Sequence, residues 1–217
     1  IENSGSVDVK GLELQLKYRN RIGDLHYNLG GNLSYAKNRI LSIVETENIH
    51  PWQSMLGKSI GQRSTYIATG LYQTAEQLAN SPAPPGGGYK RLGDIMYKDL
   101  NGDGKLTRQD DMAVGTRPDM PELMYAFNVD LQYKAFDFSM MWQGSALNDI
   151  LLSGMYDHGI PDNTIFTTAF YGNGYNSPRY LLEDSWTPEH TNARYPRLSL
   201  VPSGGNSLDS SWWIENG

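Results

Sequence analysis

The stretch that decides the fold of this chain is residues 123–143, LMYAFNVDLQYKAFDFSMMWQ. Apolar and polar side chains alternate along it with a period of two, and the phase of the alternation switches across Lys134 and Ala135. A period of two gives a β-strand one apolar and one polar face, and a phase switch across two residues requires a tight turn. The stretch therefore predicts an antiparallel hairpin of strands 123–133 and 136–143.

A second pair of alternating segments lies near the start of the chain, at residues 11–18 and 25–36, joined by a short polar connection at 19–24. With the hairpin they predict a consecutive antiparallel meander of strands of matched length. The short connections fall at one end of this meander, and two long connections, residues 38–122 and 149–217, fall at the other end.

This alternation fits two kinds of sheet. A soluble antiparallel sheet with one solvated face has the same period as the wall of an outer-membrane β-barrel, which turns apolar side chains toward lipid and polar ones toward the lumen. The asymmetry of the connections and the Tyr and Trp residues near the strand ends favour the barrel. We predict an all-β fold: an antiparallel meander from an outer-membrane β-barrel, partial, with about four long strands and long extracellular loops at 38–122 and 149–217. The predicted lipid-facing side chains are Leu29, Phe127 and Phe138, and the predicted lumen-facing ones are Asn28, Asn128 and Asp137.

The composition argues against several classes of binding partner and site. The net charge is −6 and no run of basic residues occurs, which argues against binding of nucleic acid and of anionic lipid surfaces. Cysteine is absent, so neither disulfides nor thiolate metal sites are expected. The chain starts at Ile1 without an initiator Met, a signal peptide or an apolar run of membrane-helix length, and we expect it to be a piece of a longer protein.

Residues 99–110, DLNGDGKLTRQD, carry oxygen-bearing side chains at positions 1, 3, 5, 9 and 12 of a loop with glycine at position 6. A Ca²⁺ ion takes about six to eight oxygen ligands, and a chain wraps one only by a sharp turn, which Gly104 permits. A surface turn without an ion is the alternative, although converging carboxylates repel one another without a cation. The flanks lack the helices of a calcium sensor, so we predict a structural ion. The predicted ligands are the side chains of Asp99, Asn101, Asp103 and Asp110, the carbonyl of Lys105, and Thr107 directly or through water.

No catalytic constellation is visible in the sequence. The His residues are scattered without metal-ligand spacing, and no nucleophile-elbow, phosphate-loop or zinc-protease motif occurs. Glu183 and Asp184 are adjacent, and neighbours on a chain point apart, so they make a poor acid/base pair. We predict that the chain is not an enzyme.

Aromatic residues are dense in the irregular segment after residue 149. Such side chains stack on sugar rings or pack against a partner protein, but they also build the small cores that long loops need in order to be ordered. The packing interpretation is favoured, because a loop of this size needs some buried area, and ligand contact is the alternative. The candidate ligand-binding residues are Tyr156, Phe170, Tyr171, Tyr175 and Trp186.

Several short segments of the chain occur together, in the same order, in one known family. They are KGLE at 10–13, SYAKN at 34–38, GKSIG at 57–61, GDIMYKDLNGDG at 93–104, Gly115, Pro118, YAFN at 125–128 and YKAFD at 133–137. With these segments the chain resembles the SusC/RagA family of TonB-linked outer-membrane transporters, although Ala126 and Ala135 stand where that family often has glycine. The resemblance covers most of the chain and implies a segment from the later part of the barrel of a large importer.

This resemblance also implies an outer-membrane location, import of oligosaccharides or peptides, and a SusD-like surface lipoprotein that covers the barrel from outside. It implies that the TonB complex drives import through a plug region, which this chain lacks. It also implies that the barrel wall contacts membrane lipid. No nucleic-acid partner is expected. The alternative function is a calcium-stabilised extracellular ligand- or glycan-binding β module without transport activity. A surface glycosidase fragment is a more distant alternative.

Overall fold

The computed structural model describes residues 5–47, 49–85, 88–152, 179–198 and 205–217. Within these residues the chain is built of β-strands with two short α-helices and one 3-10 helix. None of those helices is long and apolar enough to span a membrane. In chain order the elements are β1 (Ser6–Ile22), β2 (Leu25–Ser42), β3 (Gln62–Tyr66), β4 (Ala68–Leu71), α1 (Ala75–Asn80), β5 (Ile95–Tyr97), β6 (Met112–Pro118), β7 (Leu123–Tyr133), β8 (Phe136–Ala146), β9 (Asp149–Leu151), α2 (Arg179–Glu183), the 3-10 helix (Ser211–Trp213) and β10 (Ile214–Asn216).

The predicted meander is confirmed: β1, β2, β7 and β8 pair in that order as one antiparallel sheet, called the long sheet below. β7 spans the predicted residues, and β8 starts at the predicted residue and extends to Ala146. Tight turns join β1 to β2 and β7 to β8, and they place Gly23 at φ 58° and Lys134 at φ 54° in the left-handed region. The predicted antiparallel all-β architecture is therefore present.

β1 and β2 are longer than the sequence predicts, with 17 and 18 residues. Most of segment 19–24, predicted as a polar connection, continues β1, whose last residue Ile22 pairs with Leu25. Polar residues occupy both faces of this short stretch, so the sequence shows no alternation although the backbone ladder continues. β2 pairs with β7 only as far as Tyr35, so β1 and β2 run on together beyond the other two strands.

The long sheet has one apolar and one polar face, because residues directly opposite each other on paired strands share a face. On the apolar face Leu14 pairs with Leu33, and Leu33 pairs in turn with Tyr125. Much of this apolar surface is uncovered in the described part of the chain. Its exposed large side chains include Leu12, Leu14, Leu16, Tyr18, Leu33, Tyr125, Phe127, Phe136, Phe138 and Trp142.

The two long connections fold together around one hydrophobic core. β3 pairs with β6, β4 with β5 and β9 with β10, each pair forming an antiparallel two-stranded sheet. These strands are too short to show a regular alternation. The sequence predicted only β5, from the alternation of Ile95 and Tyr97 before the calcium loop. The described parts of 62–118 and 149–217, which surround this core, are called the loop unit below. Its core residues are Tyr66, Leu71, Ile95, Tyr97, Leu106, Met112, Leu181, Trp186, Ala193, Tyr195 and Trp213.

Candidate functional site

The predicted calcium loop lies between β5 and β6 and is closed by a buried carboxylate. Asp111 is 0% exposed. Its Oδ1 accepts a hydrogen bond from the backbone N–H of Leu100 (2.8 Å), and its Oδ2 accepts one from the N–H of Thr107 (2.7 Å). Leu106 enters the hydrophobic core of the loop unit. The loop is therefore anchored by the apolar side chain of Leu106 and closed by the carboxylate of Asp111, which lies one residue beyond the predicted ligand set.

The first half of the loop turns sharply at two glycines. Gly102 has φ 76° and Gly104 has φ 82°, a region that glycine reaches without a Cβ clash. The carboxylate of Asp99 accepts hydrogen bonds from the N–H of Gly102 (2.6 Å) and of Gly104 (2.8 Å). Asn101 Oδ1 and Asp103 Oδ1 each accept a bond from the backbone N–H two residues later, at 3.1 and 2.8 Å. The turn that the motif requires is present.

The second half of the loop is held by side chains from a distant segment. Thr107 Oγ1 donates to Asp110 Oδ2 (2.7 Å), and His50 Nε2 lies 3.4 Å from Asp110 Oδ1. The ring of His50 stacks on Trp52, with centroids 4.5 Å apart, and Trp52 Nε1 donates to the carbonyl of Asp110 (2.7 Å). The sequence carries no signal for this contact, because 58 positions separate Trp52 from Asp110.

The donor chemistry of the loop fits a hard cation such as Ca²⁺, since every predicted ligand atom is an oxygen. The backbone also fits, with a left-handed glycine at the predicted position of the turn. The carboxylates of Asp99 and Asp103 themselves accept backbone N–H groups. Within the described residues no three His, Asp or Glu side chains converge as a metal-binding group. The calcium ligands therefore stay a prediction.

The predicted ligand-binding aromatics separate into two groups. Tyr156, Phe170, Tyr171 and Tyr175 lie outside the described residues. Trp186 is 7% exposed and belongs to the core of the loop unit, where its Nε1 donates to Gln73 Oε1 (3.0 Å). This burial favours the packing interpretation for Trp186, and a contact of any of these aromatics with a ligand stays a prediction.

The polar face of the long sheet carries a hydrogen-bonded cluster around Asp130. Its Oδ2 accepts from Asn28 Nδ2 (2.9 Å) and from Asn128 Nδ2 (3.5 Å), and its Oδ1 accepts from Ser139 Oγ (2.9 Å). The sequence placed Asn28 and Asn128 on one face of the sheet but did not single out Asp130. The only sequence signal for Asp130 was that it alternates in phase with the polar residues of β7.

The predicted outward and inward side chains lie on opposite faces of the long sheet. Leu29 pairs with Val129, and Phe127 pairs with Trp142 on the same apolar face. Along β7 and β8 this face is uninterrupted over 11 residues, and about 9–11 residues of a tilted strand are enough to cross a bilayer. The sheet therefore has the dimensions and the polarity of a membrane-spanning wall.

Comparison with known proteins identifies relatives over the whole chain. No family model matches. The chain is 25% identical over 233 residues to TonB-dependent receptor P26 of Formosa agariphila, an alignment that covers 100% of this chain and 21% of the relative. It is also 25% identical over 218 residues to TonB-dependent receptor P3 of the same organism, covering 92% of this chain and 20% of the relative. The chain spans about a fifth of the length of these relatives.

Solved structures show the same fold. The RagAB peptide transporter matches with a TM-score of 0.56 and 16% identity, over 99% of this chain and 22% of that chain. The RagAB peptide importer in its closed-closed state matches with a TM-score of 0.57 and 15% identity, over the same shares. The predicted resemblance to SusC/RagA-like TonB-dependent transporters is thereby confirmed, as are the outer-membrane-barrel fold class and the outer-membrane location. The relatives are named as receptors and transporters rather than as enzymes.

Proposed function

We propose that this chain, which has the sequence and the fold of a SusC/RagA-like TonB-dependent transporter segment, forms part of the barrel wall of an outer-membrane nutrient importer. In this proposal the TonB complex drives import through a plug region elsewhere in the longer protein. A SusD-like surface lipoprotein covers the barrel, and the substrate is a peptide or an oligosaccharide. The observation that carries the proposal is the continuous apolar face of the long sheet.

An apolar face of this size must be covered by an apolar environment. In water it would remain a large exposed hydrophobic patch, and the free edges of an open sheet would add an aggregation site. In an outer membrane the same face contacts acyl chains while the polar face lines the lumen. The exposed positions of Phe136 and Phe138 on β8 fit contact with lipid better than contact with water.

The polarity of the sheet also inverts where the membrane would end. Leu12 and Tyr35 are paired residues on the outward, apolar face. Past this pair, toward the long connections, the paired outward side chains are Asp8, Lys10, Lys37 and Arg39. The inward side chains there include Ile40, which is 5% exposed. The apolar part of the outward face therefore ends, and the charged part begins, at the end of the sheet from which both long connections depart. This position supports an extracellular location for the loop unit.

We include a structural Ca²⁺ ion in the loop 99–110 as part of the proposal. The oxygen donors of Asp99, Asn101, Asp103, Thr107 and Asp110 and the carbonyl of Lys105 would hold it. The ion would neutralise carboxylates in a segment that lies between two strands of the loop unit. Since the loop already joins the core through Leu106, the ion would stabilise an existing anchor rather than move an element.

The import proposal is tested by uptake into cells that produce the full-length protein. Labelled peptides and labelled oligosaccharides are supplied separately, with and without a functional TonB complex. We expect uptake of one of the two classes to require both the protein and TonB. Unchanged uptake of both classes after deletion of the full-length gene would contradict the proposal, and would leave the calcium-stabilised binding module as the better alternative.

A further inference from the structure

We propose that Lys10, Lys37 and Arg39, called the basic trio, form a site for the phosphate group of an anionic lipid headgroup at the outer edge of the apolar face. This inference rests on the proposed function, because it requires the long sheet to stand in a membrane. It differs from the expectation drawn from composition, which found no basic run and argued against anionic lipid surfaces.

The basic trio is assembled by strand pairing. Lys10 of β1 lies directly opposite Lys37 of β2, and Arg39 lies opposite Asp8 in the next row on the same face. Residues two apart on a strand share a face, so the trio continues the face whose last apolar row contains Tyr35. No local sequence pattern predicts this cluster, because its members come from two strands.

The two lysines of the basic trio lie at the height of the headgroup region. On a strand that rises about 3.4 Å per residue and is tilted by about 40°, Lys37 and Arg39 lie about 5 and 10 Å beyond Tyr35. The headgroup layer outside the hydrocarbon core is about 5–8 Å thick on each side. The row of Lys10 and Lys37 lies within this layer, and Arg39 lies just beyond it, at a distance that a long flexible side chain spans. A lipid whose acyl chains contact Tyr35 would therefore carry its phosphate to the level of the two lysines, with Arg39 above it.

The charges of the basic trio are incompletely compensated. Like charges directly opposite each other destabilise a strand pair, and the two lysines of the trio are such a pair. Lys10 Nζ lies 3.2 Å from Asp8 Oδ2, and Lys37 Nζ lies 3.8 Å from Glu122 Oε2. The lysine side chains are 84% and 59% exposed, so these ion pairs are weak. An anion bridging the two ammonium groups would relieve their repulsion.

Arg39 supplies the group best suited to phosphate. Among the described residues it forms no ion pair, and its side chain is exposed. Its guanidinium runs along the backbone of Gly57, where Nη2 is 3.4 Å from the place that a Cβ would take. The planar guanidinium donates parallel hydrogen bonds to phosphate oxygens. The exposed guanidinium therefore adds a planar donor group to the two lysines at the rim of the apolar face.

The experiment compares two lipids with identical acyl chains, dioleoyl phosphatidate and dioleoylglycerol, added to the full-length transporter in detergent. Bound lipid is counted by native mass spectrometry. The test variant combines Lys10→Gln, Lys37→Gln and Arg39→Gln. The matched control combines Lys17→Gln, Arg19→Gln and Arg21→Gln, which remove the same charge from the opposite face of β1.

We expect the wild type and the control to bind phosphatidate in preference to dioleoylglycerol, and the trio variant to bind phosphatidate at least about tenfold more weakly. Equal binding by the trio variant, an equal loss in the control, or equal binding of both lipids would overturn the inference. Displacement of phosphatidate by free inorganic phosphate at matched concentration would also overturn it, since the ligand would then be the free anion.

Failure of this inference can be told apart from failure of the proposed function. Recovery of the wild-type protein outside the outer-membrane fraction would contradict both. Recovery in the outer membrane together with unchanged phosphatidate binding by the trio variant would contradict the lipid site alone. TonB-dependent uptake is expected to continue in the trio variant, because none of its residues lies on the polar face.

Discussion

The indole of Trp186 lies directly over Gly93: a Cβ built on Gly93 would come within 2.3 Å of Cε3 of that ring. Gly93 also has φ 81°, its N–H donates to the carbonyl of Tyr72 (2.8 Å), and its own carbonyl accepts from the N–H of Arg197 (2.9 Å). Gly93 belongs to the first long connection, and Trp186 and Arg197 belong to the second. This contact therefore joins the two connections into one loop unit.

Replacing Gly93 by alanine should open this junction. The added methyl overlaps the indole, and the left-handed backbone disfavours any Cβ, so we expect a loss of about 2–5 kcal/mol in the stability of the loop unit. Hydrogen exchange of loop-unit amides in the full-length protein measures this loss of stability. Gly23→Ala is the matched control, because Gly23 is also left-handed but has nothing within 4 Å of the added Cβ. Equal effects of both substitutions would contradict the packing role of Trp186.

Arginine should be tolerated very differently at Phe127 and at Asn128. Phe127 lies on the apolar face near the middle of β7, where a charge in contact with lipid costs about 2–4 kcal/mol, whereas a change on the lumen face costs little. Equilibrium unfolding of the full-length protein in lipid vesicles compares Phe127→Arg with Asn128→Arg. Similar losses of stability in the two variants would refute the assignment of faces.

Calcium should bind the loop 99–110 and stabilise it by mass action, because only the ordered form of the loop presents all ligands. Titration calorimetry should show calcium binding, for which an affinity as weak as about 10⁻⁴–10⁻³ M, usual for extracellular modules, would suffice. Chelation should increase proteolysis between Gly88 and Pro118 without unfolding the long sheet, and Asp103→Ala should have the same effect. Asp119→Ala, outside the loop, serves as the control. Absence of calorimetric binding would refute the calcium site.

Asp111 should be essential for loop closure with or without calcium. Asp111→Ala leaves the N–H groups of Leu100 and Thr107 without their acceptor, and we expect a loss of about 2–4 kcal/mol in the stability of the loop unit. Hydrogen exchange at these two amides reports it directly. Added calcium should not rescue this variant, because an ion cannot accept the two hydrogen bonds that the lost carboxylate accepted. Full rescue by calcium would show that Asp111 has no separate structural role.

The stability of the loop unit should fall as pH rises through the pKa of Asp94. Burial raises the pKa of this carboxyl above its ordinary value, against the opposing effects of Asn206, Arg91 and Arg197. Because the folded-state pKa exceeds the unfolded one, the contribution is complete below the unfolded pKa and is lost as pH rises through the folded pKa. Exchange of the Ile95 amide, corrected for intrinsic rates, measures this loss. An unchanged pH slope in Asp94→Asn would contradict the assignment.

The sequence by itself determined the long sheet and the calcium motif. Alternation along 123–133 and 136–143 is a local pattern, and the phase switch at Lys134 is a local turn signal, so strand, face and turn could all be predicted without knowledge of distant contacts. The predicted calcium ligands likewise lie in one short stretch, so their spacing is visible in the sequence. The resemblance to a transporter family rested on short segments of the same kind.

Only the tertiary structure decided how the rest is arranged. The short strands of the loop unit, the burial of Trp186 against Gly93 and the contact of His50 with Asp110 join segments far apart in the chain. The basic trio arises in the same way, because the pairing of β1 with β2 brings Lys10 opposite Lys37. Such contacts are selected by packing and by backbone pairing between distant segments. They leave no period or fixed spacing in the sequence from which they could be predicted.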